Sequence, residues 1–258
     1  GTQLRRTMLK DGAVINLLLP LLGKSADARS IPASLTVLAQ YMAAERVTKM
    51  VEVINGRTEK VALVMESLAN PHNVSACLRT AEGLGVQHVH MISDEERRRK
   101  ANQGITKGCE RWLTIHRHSS SSACLSALHR EGYAVIASAL DSRSSPLSSA
   151  VKEAKEKRNT DKVAVVLGNE YRGVSDECRS LADATYMLPM TGFSQSYNVS
   201  VANAMSLMAM VDMGMVQPSL SNDQKIELIE KWMMADVRAA DLILARHAIA
   251  PSSHQRNT

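Results

Sequence analysis

Five short, mainly apolar runs recur through the middle of the chain: KVALVMES (60–67), VQHVHMI (86–92), YAVIASAL (133–140), KVAVVLG (162–168) and ATYMLPM (184–190). The first is continuous rather than alternating, the mark of a strand covered on both faces. Between these runs stand segments with helical spacing: VSACLRTAEGLG, ACLSALHREG, SAVKEAKEKR and SDECRSLA. Strands separated by helices join in parallel, so the pattern dictates an α/β fold with a mostly parallel sheet flanked by helices. In the first helix Asn73 is the expected N-cap, Val74, Cys77, Leu78 and Ala81 form the apolar face, and Gly83 and Gly85 close it.

Both flanks read as helical, which divides the chain into an N-terminal extension (1–58), a central domain (59–217) and a C-terminal extension (218–258). The first extension carries Val37, Leu38, Tyr41, Met42, Val47, Met50, Val51 and Ile54 at helical spacing. The last ends in one long helix, DQKIELIEKWMMADVRAADLILARH, whose Leu228, Trp232, Val237 and Leu242 are expected to pack against the central domain or a partner subunit. The run AVINLLLPLL is too short to cross a bilayer and is broken by Pro20, so no membrane role is expected. Asp94–Gly104 reads as a mobile basic loop, and SSSSACLS and DSRSSPLSS as serine-rich connections.

The four cysteines show no CxxC spacing and no accompanying His pattern, so no metal is expected and a reducing, intracellular compartment is. A net charge of +5 favours a polyanionic partner. With only 3% aromatic residues, base stacking is a poor source of affinity.

Neither of the usual phosphate cradles, GxGxxG or GxxxxGK[ST], is present. Three strand ends carry unusual residues instead. NPHNVSACLRT places Ser75, Arg79 and Glu82 opposite the apolar stripe, which is what any amphipathic helix does. Beside His72 and Asn73, however, Arg79 also suits a phosphate or a developing oxyanion. GNEYRGVS reads as a turn capped by Ser175, yet Glu170 closes a buried strand where a carboxylate needs a reason. GFSQSYNVSVANAMSLMAM sets small and amide side chains before a very apolar helix, either as a cap or as backbone that holds a ligand. In open α/β sheets ligands collect at the carboxyl ends of strands, and here three such ends carry polar residues together.

NPHNVSACLRTAEGLGV, VVLGNEYRGVSDE and LPMTGFSQSYNVSVANA resemble, in order, the three signature motifs of the SpoU-type RNA 2′-O-ribose methyltransferases of the knotted SPOUT superfamily. The likeness runs from about Glu45 to about Met234 and is nearest the branch that methylates guanosine 18 in the tRNA D-loop. The first 40 or so residues have no counterpart. The resemblance implies a C-terminal deep trefoil knot, S-adenosylmethionine as cofactor with S-adenosylhomocysteine as product, a tRNA substrate, and a homodimer paired through knotted domains. It assigns catalytic roles to Arg79, Asn73, Glu170, Ser196 and Asn198. Cofactor contacts fall by position on Ala139, Leu140, Leu167, Gly168, Leu188, Met190, Tyr197 and Val199, with Tyr197 standing where relatives often carry Leu. Arg97, Arg98, Arg99, Lys100, Arg111 and Arg172 are candidate RNA contacts, through phosphates rather than bases.

The implied chemistry is in-line transfer of a sulfonium methyl to a ribose 2′-hydroxyl, in which the protein positions the groups and helps remove a proton. Arginine as the base is costly: a reference pKa of about 12.5 makes a neutral guanidine unfavourable by roughly 7 kcal/mol at neutral pH. The expectation is therefore a cationic Arg79 that holds a phosphate and the developing oxyanion, with the proton leaving by water or Glu170. Two other readings fit the same residues: an rRNA 2′-O-ribose methyltransferase of the same family, and a non-catalytic RNA-binding factor that retains the fold.

Overall fold

The structure, a computed structural model, describes residues 11–23, 27–93, 108–141 and 144–249. They fall into two compact units, one formed by residues 58–219 and the other by the two flanks.

The N-terminal flank holds α1 (Asp11–Leu18), α2 (Ala33–Gln40) and α3 (Ala44–Asn55). The helical spacing that runs unbroken from Val37 to Ile54 is split between α2 and α3, because the chain turns at residues 41–43.

The central unit begins with β1 (Thr58–Glu66), α4 (Pro71–Gly83) and β2 (Val86–Ile92). A 3-10 turn at Cys109–Trp112 then leads to β3 (Thr114–His118), α5 (Ser121–Arg130) and β4 (Tyr133–Ser138). Next come the two-residue β5 (Ser145–Pro146), α6 (Leu147–Arg158) and β6 (Lys162–Leu167). The unit closes with α7 (Asp176–Leu181), β7 (Ala184–Met187) and α8 (Val199–Asp212). The strands form one sheet in the order β3-β2-β1-β6-β4-β7-β5. Every pairing is parallel, as the strand–helix alternation requires.

Two strands escape a search for apolar runs. TIHRH of β3 is an edge strand with one neighbour and only half-buried side chains, so polar residues serve there. β5 and the start of α6 lie inside the serine-rich tract, and Ser120 caps α5 by accepting from Ala123 N–H at 3.1 Å. Ser120 thus begins a helix rather than merely connecting one, whereas α6 starts behind Pro146 with no side-chain cap.

Alternation along β1 sorts the core. Val61, Leu63 and Met65 pack with α4, α6 and α8, whereas Ala62 and Val64 face Cys124 and Leu125 of α5 and Cys178 of α7. Leu63 is wholly buried, a contribution of about 1.5–3 kcal/mol for a side chain of that size. Because all strands run the same way, β1, β4, β6 and β7 deliver their carboxyl ends, with the loops that follow them, to one edge of the sheet.

The C-terminal flank carries α9 (Asn222–Asp236) and α10 (Ala240–Arg246), which pack on α2 and α3 of the first flank. The single long helix read from the sequence is thus two, broken where Ala239 takes a left-handed conformation (φ 59°). Its apolar face meets the N-terminal helices. Trp232 is buried beneath the Arg57 guanidinium, and Arg46 of α3 donates two hydrogen bonds to Asp236, at 3.0 and 3.1 Å. Leu242, expected in that face, is 64% exposed. Among the described residues no helix is long and apolar enough to cross a membrane.

Candidate active site

The carboxyl ends of β4 and β6 and the loop before α8 enclose a cavity of about 550 Å³. Its volume lies within the range of small-molecule sites, roughly 300–1,000 Å³. One wall is Ser138, Ala139 and Leu140 after β4. A second is the loop 167–174, and the third is Gln195, Ser196, Tyr197, Asn198, Val199 and Ala202.

The loop after β6 is closed by its own backbone. Asn169 and Gly173 exchange N–H···O bonds at 3.0 and 2.8 Å, and Gly173 has a positive φ of 68°. Gly168 has no room for a side chain: a Cβ there would stand 2.1 Å from the Gly173 carbonyl carbon and the Val174 nitrogen. The buried Asn169 side chain locks both sides of the turn, donating to Ser67 O at 2.7 Å and accepting from Tyr171 N–H at 2.9 Å.

Glu170 projects from this loop onto the start of α4. Its Oε2 accepts from Ala69 N–H at 2.8 Å, and its Oε1 accepts from Asn70 N–H at 3.0 Å and from the Asn73 side-chain amide at 2.9 Å. Asn73 in turn accepts from the Asn198 side-chain amide at 3.3 Å. One chain of hydrogen bonds therefore joins the three motif-bearing loops. Burial alone would raise the Glu170 carboxyl, but the bonds from Ala69, Asn73 and Asn70 outweigh it and hold the group below the usual carboxylate value. Both Glu170 oxygens accept from the start of α4, so the carboxylate fixes that turn against the loop after β6.

The helix α4 starts three residues earlier than its apolar pattern suggests. Asn70, not Asn73, is the N-cap: its side chain accepts from His72 N–H at 2.9 Å, and Pro71 fills the first helical position, where no N–H is needed. Asn73 is thereby inside the first turn, buried, with its amide free for Glu170.

Asn198 does cap α8, accepting from Ser200 N–H at 2.9 Å and from the Ser200 hydroxyl at 2.6 Å. The residues before it also line the cavity, so the cap and the ligand-facing loop are the same stretch. The Tyr197 hydroxyl donates to Pro189 O at 3.0 Å and ties the two ends of that loop together, a bond that a leucine in its place would lack.

Of the residues expected to contact the cofactor, Ala139, Leu140, Leu167, Gly168, Tyr197 and Val199 line the cavity. Leu188 and Met190 are not on its wall, and the Leu188 side chain packs into the core instead. Among the expected catalytic residues Glu170, Ser196 and Asn198 line it, and Asn73 stands behind them. Arg79 is not on the wall of its own chain's cavity. It is exposed on α4 and makes no hydrogen bond or ion pair to a described residue. Arg172 lines the cavity and is exposed. Arg111 lies over the Trp112 ring, 4.3 Å from its centroid, on the turn before β3. Arg97, Arg98, Arg99 and Lys100 lie outside the described residues, as does the rest of Asp94–Gly104.

Two features escaped sequence reasoning. Glu66, buried at the end of β1, accepts from the Ser121 and Ser175 hydroxyls and from Ser175 N–H at 2.7 Å, anchoring the starts of α5 and α7. An acidic residue closing an apolar run was the available signal. Tyr171 is 88% exposed on the cavity wall, and Phe193 is fully exposed two residues before Gln195, where the third wall begins. The Cys77 thiol of α4 is pushed up to about 12, chiefly by burial and then by the Glu170 charge, and is no nucleophile.

Residues 60–208 match the SpoU rRNA Methylase family. The chain is 30% identical over 207 residues to the tRNA (guanosine(18)-2′-O)-methyltransferase of Aquifex aeolicus, covering 78% of this chain and 95% of that one. It is 32% identical over 156 residues to the enzyme of that name from Thermus thermophilus, covering 60% and 76%. The crystal structure of the A. aeolicus TrmH/SpoU tRNA modifying enzyme superposes with a TM-score of 0.64 at 29% identity, over 75% of this chain and 98% of that one.

Proposed function

This chain belongs to the SpoU rRNA Methylase family, and on that premise we propose that it methylates the 2′-hydroxyl of a tRNA guanosine, position 18 of the D-loop, using S-adenosylmethionine. The observation that carries the reading is the Glu170–Asn73–Asn198 chain of hydrogen bonds, which gathers three loops, far apart in sequence, at one cavity.

The cavity's chemistry suits the cofactor. Leu140 is 59% exposed in the wall, an apolar surface that a flat heterocycle would cover, beside a backbone that Gly168 leaves bare. Hydroxyls and amides of Ser196, Tyr197, Asn198 and Gln195 supply polar partners. Ala139, Leu140, Leu167, Gly168, Tyr197 and Val199 would hold it. The bound cofactor supplies a methyl on a sulfonium, an electrophile that needs an aligned oxygen. S-adenosylhomocysteine is the product left behind.

The chain's own work is orientation. Asn73 and Asn198 fix the rim, and Glu170 fixes Asn73. Arg79, cationic, stabilises the developing 2′-oxyanion and holds an adjoining phosphate. The proton leaves to solvent, because both Glu170 oxygens are already engaged by donors from Ala69, Asn70 and Asn73. Since Arg79 stands outside its own cavity, a homodimer with two-fold symmetry would bring it to the partner's cavity. Residues 59–217 would form the methyltransferase domain, with 1–58 and 218–258 as helical extensions. The late insertion of β6 between β1 and β4 supports a C-terminal deep trefoil knot there. Arg172 and Arg111, together with Arg97, Arg98, Arg99 and Lys100, would contact RNA phosphates.

The family's description names rRNA, which keeps an rRNA substrate as the second reading. Incubating the protein with labelled S-adenosylmethionine and separate pools of unmodified tRNA and rRNA, then mapping the labelled nucleotide, decides between them. Label confined to rRNA would overturn the tRNA assignment. Failure of the cofactor to bind in calorimetry would leave an RNA-binding factor without catalysis.

A further inference from the structure

At the opposite end of the strand order from the cavity, β2 and β3 place four imidazoles together. The parallel register sets His90 beside His116 and Ile92 beside His118, and the rings stack: His90 to His116 at 4.4 Å and His90 to His118 at 5.2 Å between centroids. His90 Nδ1 and His118 Nε2 are 3.0 Å apart. Cys124 of α5 closes the group from the helix layer, and one donor atom from each of His90, His118 and Cys124 lies within 4.8 Å of the others.

We propose that His90, His118 and Cys124 form a binding site for one thiophilic d10 cation, zinc foremost, which fastens the outer strands of the sheet to α5. Three observations converge on it. The donor set, two imidazoles and one thiol, is the chemistry that zinc selects. His90 is 1% exposed, and its Nε2 has no hydrogen-bond partner, a rare state for a buried polar atom. The 3.0 Å contact between His90 Nδ1 and His118 Nε2 holds the two rings side by side and leaves His90 Nε2 as the nitrogen that meets the ion. Sequence spacing hides this site because its ligands come from three elements; the i, i+2 repeats HVH and HRH, each on one face of a strand, are its trace.

Three protein ligands leave a fourth position for water, and His118, only half-buried, gives the ion a way in. On binding, the Cys124 S–H bond is replaced by a metal–sulfur bond and the proton passes to solvent. The site is independent of the methyl-transfer reading.

The test uses the full chain, stripped with a chelator and titrated with cobalt(II). The expected result is one ion per chain and a thiolate-to-metal charge-transfer band, displaced by zinc and absent in Cys124→Ser. His118→Gln, at a partly exposed position, should lower affinity by at least about tenfold, while His88→Gln keeps the band. Wild-type protein that binds no cobalt, or a band that persists in Cys124→Ser, would overturn the proposal. Because the wild-type titration alone can sink it, a variant that fails to fold does not shelter it.

Discussion

Asn73 donates its side-chain amide to Glu170 Oε1 at 2.9 Å, across 97 residues of sequence. The contact fixes where the first turn of α4 stands relative to the loop after β6. Replacing Glu170 by Gln keeps the shape but turns an NH₂ toward donors. Expected is a loss of about 1 kcal/mol in urea unfolding, since the donors at Ala69 and Asn70 can still reach water, with a larger fall in turnover. The sign of the pH effect follows from the lowered carboxyl. Its stabilisation is whole above the unfolded value of about 4.5 and is lost as pH falls through the folded value. Thermal unfolding of wild type should therefore drop on acidification below that point more than that of Glu170→Gln. An identical acid response in the two proteins would remove Glu170 from the account.

The parts of this site legible in the sequence are those that local chemistry dictates. The α/β alternation and the polar strand ends follow from spacing and side-chain type, and a cap before α8 is one of the two readings its small and amide residues allow. Asn73 was misplaced as a cap because Asn70-Pro71 satisfies the same start signal three residues earlier, and spacing does not rank two asparagines. Glu66 was overlooked because its partners, Ser121 and Ser175, are remote in sequence. β3 was missed because an edge strand tolerates the histidines that disguise it. The trio His90, His118 and Cys124 exists only once the sheet register is set.

Gly168 offers a steric test of the cavity. Any side chain would meet the backbone at Gly173 and Val174, which has no flexible end to give way. Gly168→Ala should force the loop open, cost about 1–3 kcal/mol, and weaken cofactor binding by more than about tenfold. Calorimetry with S-adenosylmethionine reads the affinity. Unchanged affinity would place the cofactor elsewhere.

Arg79 separates chemistry from folding. It is exposed and makes no contact that would be missed, so Arg79→Ala should leave stability within about 0.5 kcal/mol while abolishing turnover. Arg79→Lys retains some activity if a cation alone suffices and none if the planar fork is needed. The proposed supply of the arginine across a dimer makes a further prediction. Mixing inactive Arg79→Ala with inactive Ser196→Ala, under subunit exchange, should restore roughly a quarter of wild-type activity, because half the dimers are mixed and each mixed dimer has one intact site. No recovery in exchanged dimers would put both residues in the same chain's site.

Phe193 is the chain's single phenylalanine, and it is fully exposed in a loop whose next members line the cavity. The exposed ring is not engaged in the core and is open to a bound partner. A base near this loop or the loop after β6 would find a flat face on Phe193 or Tyr171; stacking of this kind is worth about 1–3 kcal/mol per base. Low aromatic content argues against stacking along an extended RNA, but it does not bear on one or two rings placed at the target nucleotide. Phe193→Ala should therefore raise KM for RNA about tenfold or more, with affinity for S-adenosylmethionine and thermal stability unchanged. Phosphate contacts weaken steeply with salt and stacking does not, so the ratio of wild-type to variant KM should hold as ionic strength rises. A ratio that collapses toward unity in salt would mean that the ring only shapes a surface which the cations hold.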